Sequence, residues 1–182
     1  MIATMECGMI QAHSRTTHPV PAFSHILPKR VLTAACAAAL LALQACGSVR
    51  PTGEGGGASS AAAGMVNGFR AEQGLSSLTP DPQLEQAALQ QAGYMASAGR
   101  MKHTTGWGKD FASRVKANGI SGAAAENIAE GRMDTTRVLD TWMHSPPHRR
   151  NMLDPRFTRF GLAYVRDDRN GDWRYWTMVL GK

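Results

Sequence analysis

The segment WMHSPPHRRNM, residues 142–152, sets His144 and His148 four positions apart, with Ser145, Pro146 and Pro147 between them. Two imidazoles at i and i+4 of a helix share a face and can hold a metal. The pattern H-E-x-x-H does this, with its glutamate as the base beside the first histidine. Here the pattern is H-S-P-P-H and the glutamate is missing. Each proline also pushes the residue before it away from helical angles. The helix carrying Trp142 is therefore expected to stop near His144, and an i,i+4 zinc pair is rejected. The prolines reset the chain direction and hold His148, whose partners must come from elsewhere. Ser145 beside His148 invites a nucleophile reading. A hydroxyl in this position more often caps the next turn by accepting a backbone N–H, and no G-x-S-x-G elbow occurs in the chain. Capping is the expectation. Arg149 and Arg150 are expected to be solvated or bonded to helix-end carbonyls rather than to bind lipid phosphate.

Several elements must position these groups. Ala62, Met65, Val66 and Phe69 recur at helical spacing and Gly74 closes that helix. The next helix opens with Asp81 as N-cap and Pro82 at its first position, and Gly99 ends it. Leu84, Ala87, Ala88, Gln91, Met95 and Ala98 line its inner face. Residues 109–118 read as a short helix closed by Asn118-Gly119, and AAENIAEG as a short extended segment. Thr135 to Met143 reads as a helix with Thr135, Val138, Leu139 and Trp142 inward. Two strands, 160–166 and 173–180, flank DDRNGD, whose Asn170-Gly171 suits a tight hairpin turn. DDRNGD lacks the glutamate that a calcium loop needs. Trp142, Trp173 and Trp176 sit at helix or strand spacing and are expected to pack. Trp107 has no such pattern and is a candidate exposed cleft wall. Three or four helices, an extended piece and a terminal hairpin indicate an α+β fold.

Five stretches in this order resemble one known family: VNGFRAEQGLSSLTPDPQLEQAALQQAGYMA, KHTTGWG, AENIAEG, WMHSPPHRRNMLDPRFTRFGLAYV and WRYWTMVLG. They look like the CAP superfamily (cysteine-rich secretory, antigen 5 and pathogenesis-related 1 proteins), in its cysteine-free bacterial branch. The likeness spans nearly all of residues 62–181. It implies an α-β-α sandwich, a small antiparallel sheet between helices. It also implies a cleft with two histidines and two acidic residues. The matching positions are His103 in KHTT, Glu126 in ENIA and His148; the second acidic position is Ser145 here. That departure weakens any mechanism needing two carboxylates. His103 and His148 can hold Zn²⁺ or another divalent metal, with Glu126 orienting an imidazole through its other nitrogen. Glu126 can equally bond backbone groups beside Asn127 and fix the strand end. The implied function is a cell-envelope binding module taking metal, lipid or both. The alternative is a weak metal-dependent hydrolase of the envelope, which needs a third ligand or base; Glu126 and Glu130 are the carboxylates on offer.

The rest of the chain sets the context. Of 182 residues, 43% are apolar and the formal charge is +6, without a long Lys/Arg run or a basic stripe with interleaved aromatics, so nucleic-acid binding is not expected. The three cysteines, Cys7, Cys36 and Cys46, precede the folded part, which has no disulfide of its own. Lys29-Arg30 and the apolar run VLTAACAAALLALQAC read as an export signal rather than a membrane span, which needs about 20 apolar residues. LQAC, ending at Cys46, resembles a lipoprotein lipobox, and Gly47 after it favours the outer over the inner membrane. The expected organisation is an unpatterned 1–28 preceding the true start, a signal at 29–45, a lipid-bearing Cys46 opening a Gly/Ser tether to residue 60, and a domain over 61–182. The expected location is the outer membrane facing the periplasm, with plain secretion as the other outcome.

Overall fold

The structure, a computed structural model, describes residues 53–182. The signal segment and Cys46 lie outside them. Five helices and five strands follow in the order β1 (Gly55–Gly57), α1 (Ser59–Ala71), β2 (Thr79–Pro80), α2 (Pro82–Ala98), α3 (Phe111–Ala117), β3 (Ala124–Gly131), α4 (Thr135–Met143), α5 (Pro146–Met152), β4 (Arg159–Arg166) and β5 (Arg174–Gly181). The sheet runs β1-β4-β5-β3, all antiparallel, and the short β2 joins β4 in parallel.

Alternation along the strands supplies one core on each face of the sheet. Phe160 and Leu162 of β4, with Trp176, Met178 and Leu180 of β5, pack against Ala62 and Val66 of α1 and Val138, Leu139 and Trp142 of α4. On the other face, Ala163 and Val179 meet Leu84, Ala87 and Ala88 of α2, while Val165, Tyr175 and Ile128 meet Ala92, Met95 and Ala96. This is the expected α-β-α sandwich. The α2 helix lies close to the sheet because glycine lets it: a Cβ on Gly161 would stand 2.0 Å from the Glu85 backbone nitrogen. Asp81 caps α2 through Gln83 N–H and Leu84 N–H, both at 2.9 Å, and Gly99 ends it in the left-handed region at φ 61°.

Two boundaries differ from expectation. The tether does not extend to residue 60. Gly55–Gly57 pair with Ala163–Val165, and Ser59 already opens α1. Glycine is what this edge tolerates: a Cβ on Gly57 would meet the Glu85 carboxylate at 2.0 Å, and that carboxylate accepts Ser59 N–H at 3.0 Å. The second difference is α5. Pro-Pro ends α4 but then occupies the first two positions of a new helix, where a missing N–H costs nothing. The last hairpin turns through residues 167–173, longer than a two-residue turn, with Gly171 at φ 56°.

Candidate functional site

The edge strand β3 organises the site. Neighbouring strand residues point to opposite faces, so Glu126 and Asn127 reach different layers. Glu126 turns toward α3. Its Oε1 meets His103 Nδ1 at 2.8 Å and its Oε2 accepts from Arg114 Nη2 at 2.6 Å. The pair is almost dry, with side-chain exposures of 3% for Arg114 and 2% for Glu126. Asn127 turns toward α5. Its Nδ2 donates to the His148 carbonyl at 3.1 Å, and its Oδ1 accepts from Asn151 Nδ2 at 2.9 Å. One dipeptide therefore holds both histidines, His103 by its ring and His148 by its backbone.

His103 sits on the loop between α2 and α3. Arg114 Nη1 also donates to the carbonyls of His103 (3.0 Å) and Lys109 (2.6 Å), and Gln91 Nε2 donates to the Lys102 carbonyl at 2.7 Å. The loop is thus pinned on both sides of the histidine. Sequence reasoning missed Arg114, Asn127 and Asn151 as parts of the site. A guanidinium in a short helix reads as solvent-facing; the signal available was that Arg114 lies on the inward side of a segment bounded by Asp110 and Asn118.

His148, half-buried on α5, places its Nδ1 2.9 Å from Ser145 Oγ. Ser145 occupies the N-cap position of α5, but its hydroxyl makes no cap bond. This corrects the capping expectation. Pro147 at N2 has no N–H, which leaves only the His148 amide at N3 to cap, and the hydroxyl bonds the His148 imidazole instead. Burial first, and the neighbouring His103 ring second, lower the His148 pKa below the ordinary imidazole value. The Trp142 ring lies 6.4 Å away, centroid to centroid. His144 is excluded from this group: it is 80% exposed and its Nδ1 bonds the Asp140 carbonyl at 2.9 Å.

The structure pairs His103 with Glu126 and His148 with Ser145, and the His103 ring is near enough to influence the charge of His148. A carboxylate paired with a guanidinium only accepts, so His103 Nδ1 is the donor to Glu126. Neither Nε2 has a partner among the described residues. Two imidazoles suit a divalent metal, each with its second nitrogen oriented by the protein. No third ligand stands with them: the described residues contain no metal-competent group of three or more His, Cys, Asp or Glu. Beside His148 and Ser145 a cavity of about 310 Å³ opens, lined by Met101, Ile128, Met133 and Trp142, and also by Glu130. Met101 supplies the wall expected of Trp107, which is 101% exposed. No helix among the described residues is long and apolar enough to cross a membrane.

A family model described as "CAP: Cysteine-rich secretory protein family" matches residues 63–180. A curated relative, the uncharacterized protein YkwD of Bacillus subtilis, is 36% identical over 103 residues, which is 56% of this chain and 40% of that protein. The chain thus spans well under half of that relative. Among solved structures, an extracellular protein containing a SCP domain from Bacillus anthracis superposes with a TM-score of 0.60 at 23% identity, over 68% of this chain and 39% of the other. An outer surface protein from Borrelia burgdorferi gives 0.60 at 20% identity, over 72% of this chain and 98% of the other. At these identities the two structures speak to the fold.

Proposed function

Because the chain belongs to the cysteine-rich secretory protein (CAP) family, we propose that it is an exported envelope binding module whose cleft takes a divalent metal between His103 and His148. The observation that carries this is the pair of imidazoles with their Nδ1 atoms tied to Glu126 and Ser145 and their Nε2 atoms free of protein partners. Bound there, the metal would supply a Lewis-acidic centre open to an outside donor. Ser145 then accepts from His148 Nδ1–H, and the apolar cavity of Ile128, Met133 and Trp142 receives the apolar part of a ligand such as a lipid. Both Glu126 oxygens are engaged, which suits an orienting group better than a catalytic base. That favours binding over hydrolysis. An extracellular or surface location fits what the Bacillus anthracis and Borrelia proteins are called. A lipid on Cys46 would tether the domain to the outer membrane.

Calorimetric titration of the full chain with Zn²⁺ tests the cleft. Two protein ligands predict a dissociation constant of about micromolar or weaker, and the H103A/H148A double variant should give no heat. Because the His148 pKa is lowered by burial and the neighbouring His103 ring, protons should compete with metal at His148 only below the ordinary imidazole value of about 6.5. Unchanged binding in the double variant removes the metal reading.

A further inference from the structure

The β3 strand is an outer strand of the sheet, and Ile128, Ala129 and Glu130 on it line the cavity beside His148. The register shows which main-chain groups lie on its free edge. Opposed residues of an antiparallel pair alternate between bonded and non-bonded positions. Leu162 and Arg166 turn their main-chain groups toward β1: the Leu162 carbonyl accepts Ala58 N–H at 2.7 Å, and Arg166 N–H donates to the Glu54 carbonyl at 2.9 Å. Ala163 and Val165 therefore bond Thr177 and Tyr175 of β5, and Trp176 and Met178 bond Ala129 and Asn127 of β3. Glu126, Ile128 and Glu130 are left facing outward. Side chains meet two of their carbonyls, Ile128 by Trp142 Nε1 at 3.2 Å and Glu126 by Asn151 Nδ2 at 3.5 Å. The Ile128 and Glu130 N–H groups and the Glu130 carbonyl have no partner among the described residues, although Ile128 is only 5% exposed. Buried amides are nearly always paired.

We propose that the β3 edge binds an extended peptide, which joins the sheet as one more antiparallel strand. The two free amides are two residues apart, about 6.8 Å, and the carbonyls along one edge of an extended peptide repeat at that spacing. Glu130 exchanges both bonds with one peptide residue. Ile128 N–H donates to the residue two positions along, and the second lone pair of the Ile128 carbonyl accepts that residue's N–H. The cavity walls suit the same occupant. Ile128, which packs on the α2 face, and Met101 of the loop after α2 form one wall; Met133, Trp142 and His148 of the other layer form the second. A strand sends alternate side chains to two such walls. The peptide residue opposite Ala129 points its side chain toward Met133 and Trp142, and is expected to be apolar. A lone carboxylate cannot bond two amides that far apart in good geometry, and a hydrocarbon chain would leave both unpaired. The inference rests on the reading of the cleft as a binding site, but not on the metal.

The probe is the blocked peptide acetyl-Ser-Val-Leu-Val-Ser-amide, titrated into the isotope-labelled full chain and followed at the amide resonances. With its leucine opposite Ala129, both valines turn their N–H and C=O groups to β3 and the leucine N–H points away. The Ile128 and Glu130 resonances should move to lower field, and their hydrogen exchange should slow about tenfold or more. N-methylation of either valine should weaken binding about tenfold. N-methylation of the leucine should leave it unchanged, and aspartate in place of the leucine should weaken it. The proposal falls if the peptide does not bind, or if the two amides are unmoved when it does. It falls equally if methylating the leucine costs as much as methylating a valine, because the peptide is then not paired through this edge. A parallel Zn²⁺ titration keeps the two readings apart. Zn²⁺ heat without peptide binding removes the added strand and leaves the metal cleft; peptide binding without Zn²⁺ heat does the reverse.

Discussion

At the scale of single residues, the site rests on a dehydrated charge pair. Arg114 and Glu126 are each nearly free of solvent, and Arg114 also holds two loop carbonyls. Breaking such a pair from one side leaves the other charge buried and uncompensated, which costs about 3–5 kcal/mol. Glu126→Gln keeps the side-chain shape and should destabilise the domain by about that much in urea unfolding. Adding Arg114→Met should recover part of the loss, since both charges are then gone. Partial recovery of stability without full recovery of Zn²⁺ binding is the expected result, because an uncharged amide oxygen is a weaker acceptor for His103 Nδ1–H than the carboxylate it replaces. The residues legible in the sequence were those whose type announces chemistry: two histidines, a glutamate and a serine. Arg114 and Asn127 were not legible, because their importance lies in where folding aims them. Ser145 was placed correctly in the chain and given the wrong partner: Pro147 removes one of the two amides it could have capped, and the His148 imidazole competes with the other.

At the scale of elements, the sequence spoke plainly wherever a local rule had a strong physical cause. The Asp81-Pro82 start and the Gly99 stop of α2 are both in the structure, as are both ends of α4. Glycine was the ambiguous letter. Gly55–Gly57 read as linker because three glycines carry no pattern, yet they form a strand in which side chains on Gly55 and Gly57 would collide with β4 and α2 while Gly56 faces open space. Gly161 plays the same part under α2. Gly161→Ala should therefore push the helix off the sheet at Glu85, with a loss of about 3 kcal/mol or more, at the high end for overpacking. A thermal-melt comparison with Ala163→Gly, which removes a methyl from the same face, separates overpacking from simple loss of contact: the first should be the more damaging.

At the scale of the domain, the two helical layers are bridged at both sheet edges, by Ser59 and Glu85 beside β1 and by the cleft beside β3. The His103 loop comes from the α2 layer and His148 from the α4–α5 layer, so cleft geometry reports on how both layers dock. Under the proposed lipid anchor, Cys46 decides where the domain works. Cys46→Ala should shift the protein from the membrane to the soluble fraction when envelopes are separated. A variant that still pellets with the membrane would rule out the lipid anchor.

The adjacency of Glu126 and Asn127 has one more consequence. If β3 zipped onto β5 out of step by a single residue, every side chain would change faces. The carboxylate would be sent to the helix that needs an amide, and the amide to the guanidinium that needs a negative charge. Neither mistake could be mended locally, because each acceptor reads a different chemical signature. The same dipeptide that aims the imidazoles thus proofreads strand alignment, and a misaligned chain forfeits its cleft together with its fold.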